Sequence, residues 1–203
     1  MCRGPTTQGD RGQGDSGMSL VPPGRGHYSL ASAADTERLG RAVGERLRPG
    51  DVVVLSGPLG AGKTVLARGI GSGLGVRGPV TSPTFVIARE HPPLPGGRGV
   101  PLVHVDAYRL GGMAELDDLD LDTDLLAAAV VVEWGEGMAE RLAAEHLLIR
   151  LERPRKGPSD DNCDDSGDSR GDGRGDSSGD DRRVAQLCGP ARLIPEPACL
   201  AVP

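Results

Sequence analysis

The feature that most constrains the fold is a glycine-rich segment at residues 57–64 (GPLGAGKT). It fits the pattern G-x-x-x-x-G-K-[ST] at every fixed position, and it directly follows a β-branched run at residues 51–56 (DVVVLS). Glycines at this spacing let backbone N–H groups turn inward around an anion, and a helix that begins at the lysine points its N-terminus at the same place. The segment therefore predicts a buried strand, a phosphate-binding loop and a helix, in that order.

The last two residues of this motif have specific predicted roles. Lys63 is expected to reach the β- and γ-phosphates of a nucleotide, and Thr64 to supply a hydroxyl to Mg²⁺. Lys63 is one of only two lysines among 23 basic residues, which favours a functional role over a chance match in a glycine-rich turn. GTPases normally read guanine with an Asn-Lys-x-Asp segment. The only asparagine, Asn162, is not in such a segment, so ATP is the expected nucleotide.

Two acidic residues end apolar runs elsewhere in the chain. Asp106 closes LVHVD, and Glu133 closes AVVVE. In a parallel sheet, ligands collect at the carboxyl ends of the strands, where the loop at 57–64 also lies. A carboxylate there can hold Mg²⁺ or its water shell, or orient an attacking water. The alternatives are a strand-end turn residue for Asp106 and a surface turn residue for Glu133.

The remaining pattern surrounds these sites with helices and strands. A first helix is predicted after Ser32 or Asp35, either of which can cap it, because Leu39, Val43 and Leu47 recur at four-residue intervals. The other predicted elements are a helix from 63 to about 73, strands at 84–90, 102–107 and 129–134, and a short helix at 138–145. Strands mixed with helices in this order indicate an α/β fold with a largely parallel sheet.

The C-terminal third contains a segment that cannot form a core. Residues 157–183 hold nine Asp, six Gly and five Ser, a composition typical of disorder. Residues 146–152 (HLLIRLE) predict a strand, and 182–188 (RRVAQLC) predict its antiparallel partner across that loop. The alternative is that the fold ends at Glu152.

Composition then divides the chain into a compact part and appendages. Residues 1–26 are rich in Gly, Arg, Asp and Pro, have no apolar period and are expected to be disordered. The predicted organisation is a disordered extension at 1–26, a domain at 27–156, a disordered insert at 157–181, a last strand at 182–188 and a flexible tail at 189–203.

Charge and hydropathy exclude several classes of function. The net charge is -6, of which residues 27–156 carry only -2 without a basic stripe, so tight direct binding to nucleic acid is not expected. The longest apolar run, at 125–132, is far shorter than the roughly 20 residues of a membrane span. The N-terminus has no secretory h-region, and the four cysteines show neither C-x-x-C nor zinc spacing. We therefore expect a cytoplasmic protein without membrane contact.

Four motifs occur in order: GPLGAGKT at 57–64, SPTF at 82–85, HVDAYRL at 104–110 and VEWG at 132–135. Together they closely resemble the TsaE (YjeE) family of bacterial ATPases. This resemblance implies a P-loop NTPase-like three-layer sandwich with a mostly parallel central sheet and a C-terminal antiparallel hairpin. It also implies an ATPase that acts with Mg²⁺ on homologues of TsaD and TsaB during formation of N6-threonylcarbamoyladenosine at position 37 of tRNA, and meets tRNA only through that complex.

The resemblance also assigns roles by position. Asp106 matches a Walker-B-like acid and Glu133 a carboxylate implicated in metal binding and hydrolysis, so that Thr64, Asp106 and Glu133 would hold the metal. Trp134 would sit beside the site, and the loop at 82–85 would act as a switch. The residues that would contact ATP are Thr36, Gly57, Leu59, Gly60, Ala61, Gly62, Lys63, Thr64, Asp106 and Arg183, or Arg182 in place of Arg183.

Two other functions compete with this interpretation. A small-molecule kinase would need an acceptor pocket and usually an arginine-rich lid, and the candidate lid at 157–183 has nine Asp against four Arg. A nucleotide-dependent interaction module with negligible turnover is compatible with the same motifs, because motifs do not reveal a rate.

Overall fold

The computed structural model of the chain describes residues 24–83, 87–109, 127–137, 143, 145–153 and 181–200. Within these ranges, seven strands form one sheet: β1 (Gly24–Leu30), β2 (Val52–Ser56), β3 (Ala88–His91), β4 (Leu102–Asp106), β5 (Ala129–Glu133), β6 (Leu147–Glu152) and β7 (Arg183–Gly189). The same ranges contain the helices α1 (Ala33–Gly44) and α2 (Lys63–Leu74), with short 3₁₀ turns at Ala107–Arg109, Ala191–Leu193 and Pro197–Leu200.

The strand order across the sheet is β1-β7-β6-β2-β5-β4-β3. The four central strands, β6, β2, β5 and β4, run parallel to one another, whereas β3 at one edge and β7 and β1 at the other are antiparallel to their neighbours. The α/β class, the mostly parallel centre and the C-terminal antiparallel pairing are therefore confirmed. The helix predicted at 138–145 falls mostly outside the described residues.

Both faces of the central strands are apolar. Every residue of β2 and β5 is buried, as expected for parallel strands that are covered on both sides. One face, with Val53, Leu55 and Val131, packs against α1 and α2 in a single cluster. The opposite face, with Val54 and Val132, belongs to a second cluster.

Glycines let the two helices pack backbone against backbone. Gly40 lies in α1 and Gly69 in α2. A Cβ atom on Gly40 would lie 2.3 Å from the carbonyl oxygen of Leu66, and one on Gly69 would lie 2.2 Å from that of Glu37. Any larger residue at these positions would push the helices apart. This contact fixes α2, and with it the loop at 57–62, against the rest of the fold.

The ends of the fold differ from the sequence prediction. β1 begins at Gly24, inside the stretch expected to be disordered, because its seven residues pair with β7 from Gly24↔Gly189 to Leu30↔Arg183. The expected tail at 189–203 is also wrong in part, since Leu193 is buried in the core and the Tyr28 hydroxyl donates to the Pro195 carbonyl. Neither segment has a strong apolar period, so their place in the fold becomes visible only from their contacts with residues distant in sequence.

The other boundaries differ by a few residues. The strand predicted at 84–90 is the short edge strand β3, and residues 84–86 lie outside the described ranges. The insert predicted at 157–181 also lies outside them, except for Asp181. None of the helices in the described ranges has the length and apolar content that a bilayer crossing requires.

Candidate functional site

The glycine-rich loop connects β2 to α2 and has a backbone that other residues rarely adopt. Gly57, Gly60 and Gly62 have φ angles of 140°, 75° and 105°, in the region that favours glycine. A Cβ atom on Gly57 would also lie 2.3 Å from the carbonyl oxygen of Leu151. The N-cap of α2 is Gly62, and no side chain in the described part of the chain caps this end of the helix. The loop and the helix therefore present backbone N–H groups, with the positive end of the helix dipole, to an anion.

Lys63 extends back across this loop. Its ammonium donates to the carbonyl oxygens of Gly57 at 2.7 Å and Pro58 at 3.0 Å. It also lies 3.6 Å from the ring centroid of Trp134, a cation–π contact. Burial lowers the pKa of Lys63, while the nearby charges of Glu133 and Asp106 oppose this shift. The lysine thus places a positive charge inside the curve of the loop.

Glu133 is the meeting point of several polar contacts. The Thr64 hydroxyl lies 3.1 Å from Oε1 and 3.4 Å from Oε2 of Glu133. The Nε2 atom of His104 lies 3.0 Å from the same Oε1. Thr64 lies in α2, Glu133 in β5 and His104 in β4, so the packing of the sheet and the helix brings these three residues together. The surface-turn alternative for Glu133 is wrong, because its side chain is only 5 % exposed.

Asp106 stands beside Glu133 at the ends of adjacent strands. The two residues are direct partners in the register of β4 and β5. An oxygen of Asp106 accepts a bond of 3.2 Å from the backbone N–H of Tyr108. This bond is typical of a turn after a strand, so the turn role considered for Asp106 coexists with its position in the cleft.

Arg183 closes the site from the side of β7. Its Nε donates to the Ala61 carbonyl at 3.0 Å, and its guanidinium also bonds Asp181, with 2.9 Å between Nη2 and the carboxylate. The side chain is buried and lines the cleft, whereas Arg182 is exposed and precedes the strand. Of the two arginines left open by the sequence, Arg183 is therefore the one at the site.

These elements enclose a cleft of about 590 Å³. Two apolar side chains at its rim are unusually open to solvent, Leu59 at 92 % and Tyr108 at 74 % exposure. The Tyr108 ring packs against Trp134, with centroids 5.3 Å apart. The lining residues are Leu59, Gly60, Gly62, Lys63, Thr64, Val65, Ser82, Asp106, Tyr108, Glu133, Trp134 and Arg183.

Some expected contacts are not brought to this cleft. Thr36 is fully buried in the first turn of α1, and its hydroxyl donates to the Ser32 carbonyl at 3.2 Å. It is not among the lining residues. Of the predicted switch, Ser82 lines the cleft, while residues 84–85 lie outside the described ranges.

Sequence reasoning gave no role to His104, which contacts Glu133. The signal was present, because a polar ring in a fully buried strand needs a partner. A period of two also places residues 104 and 106 on the same face.

The donor set fits a divalent cation of the hard class. The Thr64 hydroxyl and the carboxylates of Asp106 and Glu133 are oxygen ligands, which Mg²⁺ prefers. Among the described residues, no group of three or more His, Cys, Asp or Glu side chains is arranged to hold a metal by itself. Mg²⁺ is usually bound by one or two carboxylates together with substrate phosphates and water.

Comparison with known proteins identifies relatives that share one family description. The family model "Threonylcarbamoyl adenosine biosynthesis protein TsaE" matches residues 30–159. The chain is similar to the tRNA threonylcarbamoyladenosine biosynthesis proteins TsaE of Mycobacterium tuberculosis, with 59% identity over 136 residues (64% of this chain and 80% of that protein), and of Streptomyces coelicolor, with 60% over 124 residues (61% and 82%). The TsaE protein of Bacillus subtilis is 39% identical over 128 residues, covering 62% of this chain and 77% of that protein.

The fold is similar to a solved structure as well. The crystal structure of Bacillus subtilis YdiB superposes with a TM-score of 0.56 and 26% identity, and covers 82% of this chain and 86% of that one. The match covers most of both chains, so it supports the P-loop NTPase-like architecture. With a family model that covers most of its folded length, the chain belongs to the TsaE family of tRNA threonylcarbamoyladenosine biosynthesis.

Proposed function

We propose that this protein binds ATP with Mg²⁺ and hydrolyses it, as a subunit that acts on a complex of TsaD and TsaB homologues. The observation that carries the proposal is the convergence, in one cleft, of Lys63, the Thr64 hydroxyl and the Glu133 carboxylate. Each of these groups has a separate task in phosphoryl transfer. The packing of apolar side chains alone would not bring three such polar groups to one site.

Triphosphate binding would rest on the loop and its cationic side chains. An ammonium carries three N–H donors, and two of those on Lys63 meet the Gly57 and Pro58 carbonyls. One donor remains for a phosphate oxygen, and the N-terminus of α2 adds further N–H groups. Arg183 contributes a second buried positive charge to the lining of the cleft, next to the loop at Ala61.

The Thr64–Glu133 contact supports a role beside a metal. When the Thr64 hydroxyl donates a hydrogen bond to the Glu133 carboxylate, the lone pairs of its oxygen stay available to coordinate a cation. Bound Mg²⁺ would neutralise charge that develops on the phosphate oxygens. Asp106, the register partner of Glu133 at the neighbouring strand end, would accept hydrogen bonds from water ligands of such an ion.

Glu133 is also the best candidate to orient the attacking water. In hydrolysis, a water oxygen forms a bond to the γ-phosphorus while the bond to the β–γ bridging oxygen breaks, and the water releases a proton. A carboxylate held at the cleft, with lone pairs not used by Thr64 or His104, can accept a hydrogen bond from that water. Charge stabilisation would come from Lys63 and Arg183.

A partner protein fits the surface around the cleft better than RNA does. Leu59 and Tyr108 expose apolar side chains at the rim, and residues 27–156 carry a net charge of only -2. A phosphate backbone would require a basic surface. A rim of apolar side chains is instead typical of contact with another protein.

The test compares the two lysines of the chain. Lys63→Ala removes the cleft ammonium, and Lys156→Ala is a matched control outside the motif. Loss of a charged hydrogen bond should weaken ATP affinity by roughly 10- to 100-fold, measured by calorimetry with Mg²⁺, while the control stays unchanged. Equal affinity of the two variants would refute the phosphate site.

Turnover and partnership are then measured on the wild-type chain. Phosphate release is followed with and without the TsaD and TsaB homologues, and co-elution of the three chains with and without ATP and Mg²⁺. We expect association to depend on nucleotide and to raise the rate. Tight ATP binding without turnover under either condition would instead support a nucleotide-dependent interaction module.

A further inference from the structure

His104 is the one fully buried ionisable side chain of the described residues that contacts the cleft without lining it. It lies in β4, two residues before Asp106, and therefore on the same face of the sheet. Its register partner in β5 is Val131, two residues before Glu133. Cross-strand diagonal neighbours of this kind are within reach of a long side chain, and the His104 Nε2 atom lies 3.0 Å from Glu133 Oε1.

The surroundings of the ring determine where its proton lies. The other ring nitrogen, Nδ1, is buried and has no hydrogen-bond partner among the residues that the structure describes. A proton on Nδ1 would be a buried donor without an acceptor, which is rarely tolerated in proteins, whereas a bare lone pair costs less. A carboxylate offers only acceptors. The contact with Glu133 therefore points to a ring that carries hydrogen on Nε2 and donates it to the carboxylate.

Two donors then hold one carboxylate. His104 reaches Oε1 from the sheet, and Thr64 reaches the same oxygen at 3.1 Å from the first turn of α2. The side chain of Glu133 can neither rotate nor withdraw without losing one of these bonds. Its remaining lone pairs are kept toward the cleft, where the proposed water and metal would lie.

We propose that His104 is a positioning residue, which orients the Glu133 carboxylate through an Nε2–H donor. The effect of His104 on catalysis rests on the proposed ATPase function, whereas the contact between His104 and Glu133 does not. A histidine that only filled space in the sheet would need no particular tautomer, and any side chain of similar size would replace it.

The first experiment reads the tautomer in the nucleotide-free, full-length protein. Long-range ¹H–¹⁵N correlation spectra of the four histidines show which ring nitrogen carries hydrogen, and the spectrum of His104→Gln assigns the signals of residue 104. We expect a fixed Nε2–H form with an unprotonated Nδ1. An Nδ1–H form, or rapid exchange between the two forms, would overturn the proposal.

The second experiment separates positioning from packing. His104→Gln keeps an N–H donor at about the distance of Nε2, whereas His104→Leu keeps the size and loses the donor. Loss of one hydrogen bond to a charged group should lower kcat of His104→Leu about tenfold, with glutamine restoring most of the rate. The dissociation constant for ATP should change less than about twofold in both, because Glu133 would act in the chemical step.

His91→Leu is the matched control, since His91 is also buried, lies on the neighbouring strand β3 and does not line the cleft. It should leave kcat unchanged. Equal rates for the two His104 variants, or a loss of ATP affinity that matches the loss of rate, would contradict the positioning role. If the wild-type protein neither binds nor hydrolyses ATP, the proposed function fails, and the tautomer alone decides whether His104 holds Glu133.

Discussion

At the scale of single residues, the cleft depends on a few charged side chains that are held in fixed positions. Glu133 accepts bonds from Thr64 and is near enough to Lys63 to oppose the effect of burial on the lysine pKa. Trp134, the next residue along the chain, lies against the Lys63 ammonium and has a φ angle of 62°. Its backbone N–H bonds the Leu55 carbonyl at 3.0 Å. One strand end thus supplies both the carboxylate and the ring.

Glu133→Gln tests the charge of this carboxylate with little change in shape. The amide oxygen can still accept from Thr64 and His104, so the site should keep its geometry and bind ATP within about threefold of the wild type. The phosphate-release rate should fall by about 100-fold or more, since a positioned general base typically contributes an effect of at least this size. Equal losses of affinity and rate would indicate a purely structural or metal-holding role.

Trp134 provides a test of backbone strain. A left-handed backbone costs a non-glycine residue about 1 kcal/mol. Both Trp134→Gly and Trp134→Ala lose the ring, but only the glycine variant relieves this backbone strain. We expect the glycine variant to unfold at higher urea concentration than the alanine variant, the reverse of the usual order. The usual order would show that the left-handed conformation is not retained.

At the scale of elements, the pair α1 and α2 holds the phosphate-binding loop in place. The helices meet through glycines on both sides, with Gly44 and Gly73 repeating one turn later the contact made by Gly40 and Gly69. A Cβ atom on Gly44 or Gly73 would lie 2.2 Å from a carbonyl oxygen of the other helix. The first turn of α2 carries Lys63 and Thr64, so the distance between the helices sets the position of the catalytic groups.

Gly40→Ala should therefore destabilise the fold although alanine favours helices by about 1 kcal/mol. Overpacking of a close contact typically costs 1–3 kcal/mol, and here the clash is with backbone, which cannot rotate away. The midpoint of urea unfolding should fall clearly for Gly40→Ala. It should remain unchanged or rise slightly for Ser72→Ala, an exposed position in α2. A neutral effect of Gly40→Ala would contradict the close packing.

At the scale of the whole molecule, the sheet is completed by segments from both ends of the described chain. β1 pairs with β7, and the turns after β7 contribute Leu193 to the core and Arg192 to a bidentate contact with Asp51. β6 and β7 pair although 30 residues separate them, from Glu152 to Arg183. Because Glu152 is the register partner of Val184, the strand ends that flank the acidic insert lie side by side.

This geometry predicts that residues 157–180 can be deleted without loss of the fold. The strand ends are already adjacent, so a short connection can replace the insert, and a shorter loop lowers the entropic cost of closure only slightly. Asp181 is kept because it contacts Arg183 and the N-terminus of α1. We expect the ATP dissociation constant to stay within about twofold and the unfolding midpoint to be unchanged or slightly raised. Loss of ATP binding in a folded variant would show that the insert takes part in the site.

The sequence alone determined the features that depend on a short stretch of chain. The motif at 57–64, the buried strands β2, β4 and β5 and the strand-end acids Asp106 and Glu133 were all predicted, because turn geometry and a period of two or 3.6 are local properties. For the cap of α1 the sequence left Ser32 and Asp35 open, and the structure has Ser32. The pairing of β6 with β7 was predicted from two apolar patterns, with an alternative left open.

Features that need partners distant in sequence emerge from the packing of the whole fold. β1 and Leu193 have weak local patterns and are ordered by β7 and by the core. The choice of Arg183 over Arg182 depends on which residue enters the strand facing Ala61. The contact of His104 with Glu133 depends on the register of β4 and β5, which no local pattern reports. Strand order and register are set by the combined burial of all seven strands, and therefore they belong to the fold as a whole.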